Sequence, residues 1–184
     1  MGIRCQRMNI ASTPAMRLDL AWEAYSPQVG YTTIEDDLLA TLDLLRRRGL
    51  KLGIVSNTFV PGKVLDRHLA MMGLLPYFPV RIYSGDFGYR KPHRRIFEHA
   101  LEQIGAVAEQ TVFIGDRLDT DMLGARRAGM MTVLKCPAGD ARPHWTVDHM
   151  IRRIVDLKQV LPALRTERVA ALATEAELEG ALLR

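Results

Sequence analysis

The chain has 184 residues, 48% of them hydrophobic and 25% charged, with a formal net charge of +4. That is enough chain for one domain with a real core, and it excludes a disordered, collagen-like or disulfide-scaffold protein. Apolar runs are only a handful of residues long, so a membrane span is not expected. Two distant cysteines, Cys5 and Cys136, lack metal-ligand spacing and fit a reducing compartment. The basic N-terminus has no apolar stretch after it, so no signal peptide is expected and the predicted location is cytoplasmic. The positive charge is mild and spread out. No aromatic residues interleave with Arg90, Arg94, Arg95, Arg126 and Arg127, which argues against nucleic acid as a partner.

Residues 1–30 are poorly patterned, with a short helix expected over Leu18 to Tyr25. Thr32 to Glu35 has the form of a capping box, and Ile34, Leu38, Leu39, Leu42 and Leu45 then follow helical spacing, so the helix is predicted to start there and to contain Asp36 and Asp37. Arg46 to Arg48 suit its C-terminus and Gly49 the residue beyond it. Leu50 to Val55 reads as a strand buried on both faces, followed by a helix from Gly62 to Met72. Val80 to Tyr83 is a strand, and Pro92 is expected to open a helix ending near Gly105. Thr111 to Ile114 is a strand, Asp119 to Ala128 a helix, Met131 to Lys135 a strand, and His149 to Ile151 a last short strand.

Apolar strands alternating with helices predict an α/β fold, a parallel sheet covered by helices on both faces, with ligands outside the strands' carboxyl ends. The divisions expected are 1–30, a core over 31–164, and a C-terminal helix over 165–184. That last helix carries a one-sided stripe of Val169, Leu172, Ala173, Leu178, Ala181 and Leu182, which suits docking on its own domain or a partner contact.

The strand ends carry the polar residues. Ser56, Asn57 and Thr58 close one strand with groups that either hold anionic oxygens or cap the next helix. Asp86 and Arg90 follow another. Lys91 precedes a helix start, where a cation is unfavourable unless an anion lies nearby. Asp116, Asp119 and Asp121 crowd three carboxylates into six residues, a setting for a hard cation such as Mg²⁺ or for helix capping. The histidines have no zinc spacing, and nucleophile-elbow, Walker and dinucleotide motifs are absent.

In order, the chain carries Leu-Gly-Ile-Val-Ser-Asn-Thr at 52–58, Gly-Tyr-Arg-Lys-Pro-His-Arg-Arg-Ile-Phe at 88–97, and Phe-Ile-Gly-Asp-Arg-Leu-Asp-Thr-Asp-Met-Leu-Gly-Ala-Arg-Arg-Ala-Gly-Met at 113–130. Together these resemble the second, third and fourth motifs of the haloacid dehalogenase superfamily. The resemblance implies a Rossmann-like domain and Mg²⁺-dependent hydrolysis, most often of small phosphate monoesters. It implies that Ser56 and Asn57 bind the phosphoryl group, that Lys91 neutralises its charge, that Asp116 ligates Mg²⁺, and that Asp121 supports the metal site. It makes a small phosphorylated substrate or inorganic phosphate the expected partner. The superfamily's first motif, an apolar strand ending in Asp-x-Asp-x-Thr that carries the nucleophile, has no counterpart here. In this superfamily that strand lies between the strands carrying Ser56 and Asp116, so a central gap is expected, and the residues at 11–30 resemble the tail of a helical cap. Three readings follow: a phosphatase lineage whose first segment is missing from the chain and which is inactive as it stands, a non-catalytic module that binds phosphate and Mg²⁺, or a dehalogenase of the same superfamily.

Overall fold

In the computed structural model, which describes residues 13–138 and 144–162, strands and helices alternate through most of the chain. Helix α1 spans Pro14–Tyr25. It is opened by Thr13, whose Oγ1 accepts the Met16 N–H at 3.2 Å, and has proline in its first turn, where the missing N–H costs nothing. A short tight helical segment, Ser26–Tyr31, leads from it. There follow α2 (Leu38–Arg47), β1 (Gly53–Ser56), α3 (Gly62–Met71), β2 (Val80–Tyr83), the one-turn α4 (Ser84–Phe87) and α5 (Arg94–Ile104). Then come β3 (Val112–Gly115), a wide helical turn (Leu118–Met122), α6 (Leu123–Arg127), β4 (Met131–Lys135), β5 (His149–Ile151) and a last helical stretch over 157–162.

Among the described residues all strand pairs are parallel, and helices cover both faces, as expected. Because side chains alternate along a strand, β3 serves two cores. Val112 and Ile114 pack with Leu45, Leu52, Val133, Ile151 and Leu157 on one side. Phe113 packs with Val55, Ile82, Ile96, Phe97, Ala125 and Met130 on the other. The strands do not form one sheet, however. Among the described residues β1 pairs only with β2, and β3 with β4 followed by β5. The expectation that the first strand is buried on both faces also fails: no residue of β1 is buried and Gly53 is exposed, whereas Thr132, Val133 and Leu134 of β4 are buried.

Several predicted boundaries shift for identifiable reasons. The capping box at Thr32 does not form. Glu35 instead accepts the Ile154 N–H at 2.9 Å and pairs with Lys135 at 2.9 Å, while Thr32 donates its hydroxyl to the Gln28 carbonyl. Consequently α2 starts after Asp37, and Asp36 and Asp37 precede the helix rather than lying inside it. Pro92 does not open α5; His93 caps it, its Nδ1 accepting the Arg95 N–H at 3.2 Å. The predicted Asp119 to Ala128 helix is split into the wide turn and the short α6. The strands at Val80–Tyr83, Met131–Lys135 and His149–Ile151 fall where the sequence puts them. No helix among the described residues is long and apolar enough to cross a membrane. The proposed helix over 165–184, and Cys5, lie outside the described residues.

Candidate active site

The carboxyl ends of β1 and β3 are tied together by Lys91. Its side chain is only 11% exposed, and Nζ lies 2.9 Å from the Val55 carbonyl oxygen and 2.7 Å from Asp121 Oδ1, itself in a side chain 5% exposed. The ammonium also sits 5.3 Å from the centroid of the Phe113 ring. Asn57 holds the lysine's backbone from both sides: its amide Nδ2 donates to the Lys91 carbonyl at 3.0 Å and its Oδ1 accepts the Lys91 N–H at 2.8 Å. A side chain at the end of β1 thus fixes the turn that delivers the lysine.

Asp121 is just as constrained. Its Oδ2 accepts the N–H groups of Asp116 and Arg117, each at 3.2 Å, and so shapes the loop that leaves β3. The contact between Oδ1 and Lys91 is an ion pair without hydrogen-bond alignment. The close approach requires glycine at 115, since a Cβ there would stand 2.5 Å from Asp121 Cβ and Oδ2. Burying two charges is costly, and this pair is tolerable because the carboxylate is also met by two amides and the ammonium by a carbonyl.

Of the site residues expected from sequence, contacts join three. Asn57, Lys91 and Asp121 are joined directly. Asp116 stands on the same loop with its side chain exposed and engaged in no hydrogen bond among the described residues. Ser56 ends β1, half-buried, its hydroxyl likewise without a protein partner there. Asp119 turns away and pairs with Arg117 at 2.9 Å; that guanidinium holds its carboxyl below the usual range. Thr58 and Asp86 brace the neighbourhood. Thr58 N–H donates to Ser84 Oγ at 2.9 Å, and Gly62 N–H, at the start of α3, donates to Asp86 Oδ2 at 2.9 Å. Arg90 is exposed on the turn before Lys91.

Two features had no sequence signal. The Val55 carbonyl is backbone and carries no residue identity. The Asp66 group, in which the carboxylate accepts from Tyr83 Oη and Arg81 Nε, each at 2.7 Å, joins residues 15 and 17 apart on α3 and β2. Burial and the Asp66 hydrogen bond both push the Tyr83 hydroxyl well above its ordinary pKa, so it stays protonated and donates.

A Mg²⁺ ion takes oxygen ligands, keeps several waters and is commonly held by one or two carboxylates and a substrate phosphate. The donor set matches that mode through Asp116 alone. Both Asp121 oxygens are already engaged by the protein.

Residues 12–129 match the family model of haloacid dehalogenase-like hydrolases. The chain is 33% identical over 133 residues to the glyceraldehyde 3-phosphate phosphatase of Methanocaldococcus jannaschii, covering 70% of this chain and 57% of that one. It spans about half the length of the curated relatives it matches. Its structure resembles a HAD phosphatase from Thermococcus onnurineus at a TM-score of 0.68 and 29% identity, over 87% of this chain and 69% of that one. It also resembles a 2-haloacid dehalogenase from Pseudomonas syringae at a TM-score of 0.59 and 26% identity, over 71% and 54%. With its motif residues gathered at the ends of parallel strands and its matched segment running through them, the chain belongs to the haloacid dehalogenase-like hydrolases.

Proposed function

We propose that this chain is the phosphate- and Mg²⁺-binding part of a cytoplasmic phosphatase for small phosphate monoesters, and that by itself it binds without hydrolysing. The observation that carries the reading is the Lys91 ammonium, held at the strand ends between the Val55 carbonyl and Asp121, whose carboxylate also holds the backbone of the exposed Asp116. Ser56 offers the phosphoryl group its hydroxyl. Asn57 offers its backbone N–H, since its amide is spent on Lys91. Lys91 supplies positive charge to phosphoryl oxygens at no cost in reorganisation, because it is already fixed in place. Asp116 would hold Mg²⁺, which when bound offsets negative charge on the same oxygens. Asp121 supports the site from behind by shaping the Asp116 loop.

The attacking carboxylate is what the chain lacks. Its sequence has no Asp-x-Asp-x-Thr, and Asp86, Asp119 and Asp121 are engaged with the α3 amide, Arg117 and Lys91 respectively. The naming of a relative as a glyceraldehyde 3-phosphate phosphatase supports the phosphate-ester class and leaves the individual ester open. In the same reading residues 1–30 are the remnant of a helical cap, 31–164 form the core and 165–184 an added helix. Helix α1 docks on α3 through Arg67 stacked 3.8 Å over Trp22 and Tyr25 Oη 2.8 Å from His68 Nδ1.

The test is thermal unfolding with inorganic phosphate and Mg²⁺, alongside p-nitrophenyl phosphate turnover. Millimolar phosphate with Mg²⁺ is expected to raise the midpoint, the rise shrinking in Asp116→Ala, with no turnover. Turnover by the chain alone would overturn the inactive reading, and no phosphate-dependent shift would overturn the binding one.

A further inference from the structure

We propose that Ser84, on the one-turn helix α4, is a positioning residue for the phosphate site, acting through the Thr58 backbone on Asn57 and, through Asn57, on Lys91. The relay of contacts stands on its own; its effect on phosphate rests on the phosphatase reading. Ser84 Oγ makes two hydrogen bonds to a single residue. It accepts the Thr58 N–H at 2.9 Å and donates to the Thr58 carbonyl at 3.2 Å. Those two groups belong to successive peptide planes, one on either side of residue 58, so one hydroxyl fixes the orientation of both. The first plane starts at Asn57. That residue's side chain clasps the Lys91 backbone, and its own N–H is the amide proposed above for the phosphoryl group. Because Thr58 N–H is turned to Ser84, the donors this strand end presents to an anion are the Ser56 hydroxyl and the Asn57 N–H.

Close contacts leave this arrangement little slack. A Cβ on Gly85 would stand 2.9 Å from the Thr58 carbonyl oxygen, and one on Gly62 would stand 2.4 Å from Asp86 Oδ2 and 2.5 Å from Tyr83 Cδ2. Asp86 holds the far end of the loop, its Oδ2 accepting the Gly62 N–H at 2.9 Å. Between these points Thr58 Oγ1 accepts the Val60 N–H at 2.9 Å and closes the loop on itself. Residues 58–62 are thus tied to α4 at both ends.

The same helical turn is joined to Lys91 by the chain. Gly88 ends α4 with a φ of 90°, its N–H donating to the Ser84 carbonyl at 2.9 Å, and the backbone then runs through Tyr89 and Arg90 to Lys91. That stretch is braced on α5. The Phe87 ring stacks 4.5 Å from His99, and the Tyr89 hydroxyl accepts from the Arg95 guanidinium at 2.6 Å. So α4 meets the end of β1 through side chains and leads into the Lys91 turn through backbone. Among the described residues the Ser84 hydroxyl bonds only Thr58, so it acts on the site by holding the group that holds the lysine, as a supporting shell does.

Two measurements on the full chain separate the relay from its effect on phosphate. Without ligand, amide exchange is compared between the parent and Ser84→Ala. Exchange is expected to quicken at Thr58, which loses its acceptor, and at Lys91, whose N–H is held by Asn57. The remote Ile154 amide, held by Glu35, is expected to keep its parent rate. With inorganic phosphate and Mg²⁺, the dependence of the unfolding midpoint on phosphate concentration gives an apparent affinity. It is expected to be about five- to tenfold weaker in Ser84→Ala and to return to within roughly twofold of the parent in Ser84→Thr, which keeps the hydroxyl. Asp148→Asn loosens contacts among β4, β5 and α6, and is expected to lower the midpoint while leaving the apparent affinity unchanged. If Ser84→Ala does not fold, Asp86→Ala releases the loop at Gly62 and is read in both assays with the same expected direction. An unchanged rate at Lys91 would overturn the relay. An affinity unchanged in Ser84→Ala, or lowered alike in Ser84→Ala, Ser84→Thr and Asp148→Asn, would overturn the positioning role and leave a hydroxyl that serves stability alone. A parent midpoint indifferent to phosphate would overturn the phosphatase reading instead, and the exchange rates at Thr58 and Lys91 would then decide the relay alone.

Discussion

At the scale of single residues, Lys91 and Asp121 decide how the site holds together. Neither can be removed alone without leaving the other charge buried, a change that typically costs about 3–5 kcal/mol. Lys91→Met is expected to lower the unfolding free energy read from urea titration by an amount in that range. Asp121→Asn is expected to cost a similar amount, because with its oxygen on the Asp116 and Arg117 N–H groups its amide N–H meets the Lys91 ammonium, which loses its counter-charge. A loss below about 1 kcal/mol in either variant would show that the pair is not buried as a unit. Gly115→Ala tests the same geometry from the other side. With a Cβ 2.5 Å from Asp121, the loop must shift, and a loss of about 1–3 kcal/mol is expected, with weaker phosphate-dependent stabilisation. The sequence exposed the members of this group because Asn57, Asp116 and Asp121 follow strands and Lys91 precedes a helix start. It did not expose their manner of contact. Asn57 was expected at a phosphate or a cap, yet its amide binds the backbone of residue 91, a pairing across 34 positions that no local pattern encodes.

At the scale of elements, the strands and the ends of helices were read unequally. β2, β4 and β5 matched because short apolar runs bounded by turn residues have few alternatives. The start of α2 did not, because a capping box is a local bargain that a distant partner can outbid. Glu35 has two such partners, the Ile154 amide and Lys135 on β4, and spending it there ties the approach to α2 to the far end of the chain. The consequence is a reversed ranking of two substitutions. If the capping box operated, Thr32→Ala would cost about 1 kcal/mol. In this structure it is expected to stay within roughly 0.5 kcal/mol, as at an ordinary surface position, while Glu35→Ala is expected to cost more, since it strands the Ile154 amide and Lys135. Denaturant titration of the two variants checks the order. The wide turn ahead of α6 is a similar case. The helical pattern from Asp119 was real, but Asp121 faces the β3 loop, and the backbone widens there.

At the scale of the whole molecule, three carboxylates bind elements that are remote in sequence, and all three carry the same pH signature. Asp66 links α3 to β2 through Arg81 and Tyr83. Asp148, beside β5, accepts the Thr132 N–H of β4 at 2.8 Å and pairs with Arg126 of α6. Glu35 joins the approach to α2 with β4. Burial on its own would raise each of these pKa values. The hydrogen bonds and cations around them more than offset it, so each carboxyl titrates below its ordinary value of 3.8 for aspartate or 4.5 for glutamate. A carboxyl that is more acidic in the folded chain than in the unfolded one binds fewer protons when folded. Its contribution is therefore complete above the unfolded pKa and disappears as the pH falls through the folded one. Because each group clamps two or more elements, their protonation is expected to act on global unfolding rather than on local fraying. The urea midpoint is expected to be level with respect to these groups near neutrality, to begin falling below about pH 4.5, and to fall further below 3.8. Asp66→Asn and Glu35→Gln should each be less stable at neutral pH and lose less on acidification, so that their curves approach the parent's in acid. Parallel curves for parent and variants across that range would show that these clamps are not what acid removes.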